Sequence, residues 1–145
     1  MGMLTNESID PNNVTSVVRK KFNGAIVTFL GTTRDVTDGK KVLRLEYEAY
    51  SELAEKMLLQ IIDEATSKFG VSQVSIAHRI GQLEIGEISL VVAVGSEHRK
   101  EAFLASQYIV DRIKIIVPIW KKEIYEDGEI WVGNQQGTVR LEDKK

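Results

Sequence analysis

The chain has no cysteine, two histidines and two prolines in 145 residues. Without a thiol it can form no disulfide, carry no persulfide or thioester, and hold no zinc through thiolates. His78 and His98 alone leave little from which to build a histidine-rich metal centre, so no metal and no resident cofactor are expected. Charge of neither sign dominates. The net charge is −2, so no global field draws in nucleic acid or an anionic membrane, and any anion site has to be a local cluster. No apolar run approaches the roughly 20 residues of a membrane span. The opening stretch MGMLTNESIDPNN lacks a basic segment followed by an apolar one, so no signal peptide is expected and the cytoplasm is the expected location.

What is present is ordinary for a soluble globular protein, 43% hydrophobic and 28% charged. The length suits one domain, and neither a repeat nor a linker interrupts it. GAIVTFLGTT, from Gly24, reads as a buried strand. KKVLRLEYEAY alternates, with Val42, Leu45, Tyr47 and Ala49 on or near one face, and reads as a half-buried strand. The Asp-Gly turn signal between them predicts a hairpin or neighbouring pair. Ser51 is expected to cap a helix running to about Phe69, with Gly70 as its stop. Its apolar positions 53, 54, 57, 58, 61, 62, 65 and 69 share one face.

VSQVSIAHRI alternates again and aligns His78 with Val74, Ile76 and Ile80. LEIGEISLVVAVGS predicts a further strand pair, with Ile88 to Val94 more buried. A second helix is expected after Ser96 and before Pro118, since the residue preceding a proline avoids helical geometry. IWKKEIYEDGEIWV predicts a hairpin turning at Asp127-Gly128. The sum is a single α+β domain over 1–145: about six or seven mixed, mostly antiparallel strands, with two main helices covering them. Residues 1–23 read as an N-terminal arm and 133–145 as a polar tail that a partner would have to order.

Candidate chemistry lies on and after the second helix. His98 and Arg99 fall in its first turn, where exposed amides and the positive dipole end favour an anion, and an arginine adds a bidentate clamp. The plain alternative is a solvated first-turn arginine and a capping histidine. IKIIVPIWKKE, from Ile113, threads Lys114, Lys121 and Lys122 through the most apolar part of the chain. Lys114 could lie along the surface with its stem over apolar atoms. Partially buried, it would instead be a usable proton donor or nucleophile near neutral pH.

GAIVTFLGTTRD, LEYEAYSELAEK, HRIGQLEIGE, EHRKEAF and IKIIVPIWKKEIYEDGEIWV, in this order and spacing, resemble the large, catalytic subunit of molybdopterin synthase. The resemblance runs from Gly24 to Val132, and the combination of HRxGxLxxGE, HRxxAF and PxWKxE is specific where no single motif is. It implies an α/β-hammerhead fold and a sulfurtransferase of molybdenum-cofactor biosynthesis. Cyclic pyranopterin monophosphate would become molybdopterin, whose dithiolene holds two sulfurs. The sulfur would arrive as a thiocarboxylate on the C-terminal Gly-Gly tail of a ubiquitin-like small subunit. The large subunit would form a central homodimer with a small subunit at each end, a heterotetramer.

Residue by residue, the resemblance implies catalytic roles for Lys114 and Lys121. It implies that Arg34, His98 and Arg99 bind the anionic substrate, the last two at the pterin phosphate. Phe29 would line the tail channel, and the Pro-Ile-Trp segment, with Pro118 and Trp120, is expected to join it. Lys122 reads as surface. The chain departs from the family after its final Trp-Val, where members commonly carry a basic residue but this chain has GNQQG, with Arg140 following later. Two other classes stand beside this reading, a non-catalytic interaction module and a small-anion-binding regulator. The lack of a glycine-rich phosphate loop counts against the second.

Overall fold

A computed structural model describes residues 2–132 and 138–140, with side chains described for 2–128. The strands are β1 (Gly2–Thr5), β2 (Ala25–Thr32), β3 (Val36–Thr37), β4 (Lys40–Ala49), β5 (Gln73–Arg79), β6 (Gly81–Leu83), β7 (Ile88–Ser96), β8 (Ile119–Tyr125), β9 (Gly128–Val132) and β10 (Thr138–Arg140). The helices are α1 (Pro11–Ser16), α2 (Ser51–Phe69) and α3 (Arg99–Ile116). The strands form two sheets. Sheet 1 has the order β1-β5-β7-β2, with β1 parallel to β5 and the rest antiparallel. Sheet 2 has the order β10-β9-β8-β4-β3, and β6 also pairs with β4. The α+β, mostly antiparallel expectation holds, with more strands than expected and a third, short helix.

Sheet 1 is covered on both faces. Alternation sends Val74, Ile76, Leu90, Val92 and Val94 one way, onto Ala54, Leu58, Ile61 and Ala65 of α2 and Ala102, Ala105, Ile109 and Ile113 of α3. It sends Ala77, Val91 and Ala93 the other way, onto Val14 and Val18 in and after α1. β5 and β7 are therefore buried on both sides. Leu58, Ile61 and Ile109 are fully buried, and each such side chain contributes about 2 kcal/mol by leaving water. The segment read as an N-terminal arm supplies β1 and α1 to this layer.

Several local expectations are corrected. β2 is an edge strand of sheet 1 with Ile26 and Leu30 exposed, not a buried one. It does not pair with β4, because β7 takes its hydrogen bonds. The Asp38-Gly39 turn joins β3 to β4 instead, and both residues take the positive φ that such a two-residue turn requires. β6 and β7 do not pair with each other, since β6 crosses into sheet 2. Val42 and Leu45 share an inward face despite their odd spacing because β4 carries a bulge between Val42 and Arg44.

Tyr50, not Ser51, is the N-cap of α2, and it provides no side-chain bond. Gly70 does close that helix in the left-handed region, at φ 67. His98 is the N-cap of α3 rather than part of its first turn. The β8–β9 loop is Glu126-Asp127, with Gly128 already paired to Tyr125. The C-terminal expectations lie outside the described residues except for β10, where Arg140 pairs in register with Ile130.

Candidate functional site

α3 sets the geometry. β7 leaves sheet 1 at Ser96, opposite Ala25 at the start of β2, and α3 begins three residues later at Arg99. To pack on the same sheet it has to run back along β7 and β2. Its 18 residues span about 27 Å, as do the eight of β2. His98 and Arg99 therefore lie at the end where β2 begins, and Lys114 lies near the end where β2 gives way to Arg34. Arg99 and Lys114 are about 22 Å apart along the axis. A single chain does not bring them together.

At the first end, His98 and Arg99 are exposed. His98 Nε2 lies 3.4 Å from Glu97 Oε1, with both side chains in solvent. At the other end, Val117 leaves the helix in an extended conformation and Pro118 prevents its continuation. Tyr50 N–H donates to the Pro118 carbonyl at 3.1 Å, and the Tyr50 ring meets Trp120 edge-on at 4.9 Å. The start of β8 is thereby fastened to the β4–α2 corner. Pro118 is buried, Trp120 is half-buried, and Phe29 packs from β2 against the α2–α3 core. Lys114 is exposed, so the partial burial considered for it does not occur within one chain.

Lys121, Glu123 and Tyr125 alternate onto one face of β8, with Tyr47 across from Lys121 on β4. The Glu123 side chain is buried and that of Lys121 is 33% exposed, with Nζ 3.6 Å from Glu123 Oε1. The Tyr125 hydroxyl donates to Glu123 Oε2 at 2.7 Å. Burial and that carboxylate push the Tyr125 phenol up to about 12. Burial raises Tyr47 as well, against a hydrogen bond with Ser89 and with Glu123 adding to the rise. Both phenols stay protonated, so among the described residues Lys121 is the cation paired with the buried Glu123 carboxylate. Lys122 points the other way and pairs with Glu46 at 3.0 Å.

His78 sits where the two sheets meet. Its ring is 5.0 Å from Tyr47, edge to face, and Nδ1 lies 2.7 Å from the Arg79 carbonyl. That geometry makes Nδ1–H the donor. Burial lowers its pKa to about 4, so it is neutral at physiological pH. Glu123, Tyr125 and Tyr47 were not singled out from the sequence. The glutamate of PxWKxE was the available signal for the first, and nothing marked the tyrosines. Among the described residues no three histidine or carboxylate side chains gather as a metal centre. No helix among them is long and apolar enough to cross a membrane.

A family model described as MoaE protein matches residues 4–115. The chain belongs to the MoaE family. The molybdopterin synthase catalytic subunit of Bacillus subtilis (strain 168) is 51% identical over 136 residues, covering 94% of this chain and 87% of that one. The crystal structure of molybdopterin synthase from Staphylococcus aureus superposes with a TM-score of 0.86 at 46% identity, over 89% of this chain and 94% of that one. A complex of subunits 1 and 2 of the molybdopterin-converting factor from Helicobacter pylori 26695 gives a TM-score of 0.75 at 21% identity, over 93% and 92% of the two chains, and shares the fold. The MoaE match spans Phe29, Arg34, His98, Arg99 and Lys114 and ends before Pro118, Trp120 and Lys121.

Proposed function

We propose that this chain is the catalytic subunit of a molybdopterin synthase. It inserts two sulfurs into cyclic pyranopterin monophosphate to make the molybdopterin dithiolene. The sulfur comes as a thiocarboxylate on the Gly-Gly tail of a ubiquitin-like small subunit, and the reaction takes place in the cytoplasm. The observation that carries this reading is the α3–β8 junction. Within eight residues it carries Lys114, Pro118, Trp120 and Lys121, from the end of α3 into β8. A side-chain-free glycine tail is recognised by backbone contacts and a narrow channel, which Phe29, Pro118 and Trp120 line.

Lys114 acts at the reacting carbon or the thiocarboxylate, as proton donor or transient amine nucleophile. Lys121 stabilises negative charge as it develops. Arg34 holds the anionic substrate, and His98 and Arg99 contact its phosphate. Because α3 separates Arg99 from Lys114 by about 22 Å, each site draws on both chains of a homodimer, one giving Arg99 and the other Lys114.

The direct test is incubation with pyranopterin monophosphate and thiocarboxylated small subunit, followed by detection of the dithiolene. A small subunit lacking its last two residues docks and yields no product. Turnover with that truncated partner would sink the tail-insertion model. The shared site is tested by mixing Arg99→Ala and Lys114→Ala chains, each inactive alone. Random reassortment gives mixed dimers with one intact site and about a quarter of wild-type activity. No recovery, with chain exchange verified by mass spectrometry, rejects sharing.

A further inference from the structure

The HRxGxLxxGE stretch, His78 to Glu87, contributes none of the residues proposed to touch substrate or partner, yet its polar groups are bound up with the loop that carries one of them. Arg79 is buried, with its side chain 8% exposed, and Nη1 donates to Glu87 Oε2 at 2.7 Å. Its Nη2 donates to the Gln82 carbonyl at 3.2 Å. A buried guanidinium is costly to hold unless it is paired, so this one ties the end of β5 to the start of β7 across the intervening turn. Gly86, at φ 88, and the Glu87 N–H to Glu84 carbonyl bond at 3.1 Å complete that turn.

The turn in turn grips the residue before Arg34. Thr33 is buried, and its N–H and Oγ1 both donate to the Glu87 carbonyl, at 3.0 and 3.1 Å. Gly86 N–H returns a bond to the Thr33 carbonyl at 2.9 Å. On the far side, Val42 N–H donates to the Asp35 carbonyl at 2.8 Å. Arg34 is thus an exposed cationic side chain on a backbone fixed at both neighbours. An exposed loop residue with no task needs no such fixing. A residue that has to meet an anion at a set place gains from it, because the ordering entropy is spent on folding rather than on binding.

We propose that Arg79 and Glu87 are positioning residues that aim Arg34 at the anionic substrate, acting through the Glu87–Thr33 clasp. This rests on the assignment of Arg34 to substrate binding. The test is a double-mutant cycle on the assembled enzyme, with the KM for pyranopterin monophosphate and kcat read separately, and thermal unfolding followed alongside. Glu87→Gln raises KM about tenfold with kcat little changed, and in an Arg34→Ala background it changes KM less than about twofold. Thr33→Val keeps the shape and the backbone pairing, loses only the Oγ1 bond, and shows the same non-additivity on a smaller scale. It serves if Glu87→Gln does not fold.

A purely structural role predicts a lowered unfolding temperature with the same KM change in both backgrounds. That result, or no KM change at all, overturns the positioning role and leaves Arg34 in the site. If Arg34→Ala itself binds substrate normally, the assignment of Arg34 falls and the positioning role falls with it.

Discussion

Val92 in the middle of β7 and Glu123 in the middle of β8 are both buried, 0% and 4% exposed, and they belong to two kinds of interior. Around Val92 the buried neighbours are mostly aliphatic, with Phe29 across from it on β2, and helices cover the strand on both faces. Around Glu123 the apolar cluster consists of Val42, Leu45, Leu83 and Tyr125, with Tyr47 at its edge. The polar groups beside its carboxylate are two phenols and the half-buried Lys121 ammonium. Sheet 1 has the burial that stabilises the fold. Sheet 2 gives up apolar burial to hold polar groups at fixed separations, as a site requires. Substitutions in the two regions should therefore fail differently.

The largest effect is expected at the seam. His78 is neutral in the fold, with its pKa lowered by burial from 6.5 to about 4. Between these values the unfolded chain binds a proton that the folded chain refuses. Stability is then full above pH 6.5 and falls by about 3 kcal/mol as the pH drops to 4. Denaturant titrations across that range should show the slope in wild type and lose it in His78→Gln. An unchanged slope in the variant would mean that other groups account for it.

Next come the lysines. Lys114→Ala and Lys121→Ala should fold and bind the small subunit normally while losing on the order of 10² in turnover, as when one charged donor is removed from a closed site. Lys122→Ala, on the opposite face of β8 and paired with Glu46, serves as the control and should keep most of its activity. Near-normal turnover in Lys114→Ala would remove that residue from the chemistry. A fall in unfolding temperature matching the loss of rate would move Lys121 into the structural class.

Legibility in the sequence follows the same division. Where burial is aliphatic, periodicity is a direct image of packing, and it marked the inner face of α2, while glycine marked its stop at Gly70. Pairing was read wrongly where two strands adjacent in sequence belong to different sheets. β2 and β4 carry a turn signal between them, but nothing local reveals that β7 claims β2. The β4 bulge hides in the same way, since parity alone puts Val42 on the wrong face. In the candidate site, Lys114, Lys121 and Pro118 stand out by type within an apolar stretch, whereas Arg34 was marked only by the resemblance to the family. Glu123 and the clasp around Thr33 were not visible, because their roles lie in partners distant along the chain.

The smallest effect belongs to sheet 1's own surface. Glu64 on α2 receives Arg112 Nε and Nη2 at 3.0 and 3.1 Å, the Tyr108 hydroxyl at 2.9 Å and Gln60 Nε2 at 3.0 Å. The Arg112 hydrogen bonds lead in lowering its carboxyl from 4.5 to about 2. Because the folded value is depressed, the contribution is complete above pH 4.5 and disappears as the pH falls through 2. The pair joins α2 to α3, but it is partly solvated and screened, so its worth is modest. Glu64→Gln keeps the shape and loses the charge, and should lower the unfolding temperature at pH 7 by about 2 °C. Wild type and variant should converge as the pH approaches 2, and salt should narrow the gap at pH 7. Activity should not change, since the pair lies on the aliphatic side of the molecule. A loss of turnover in Glu64→Gln would show that the α2–α3 clamp also sets the placement of Lys114, and the separation of the two regions would then be incomplete.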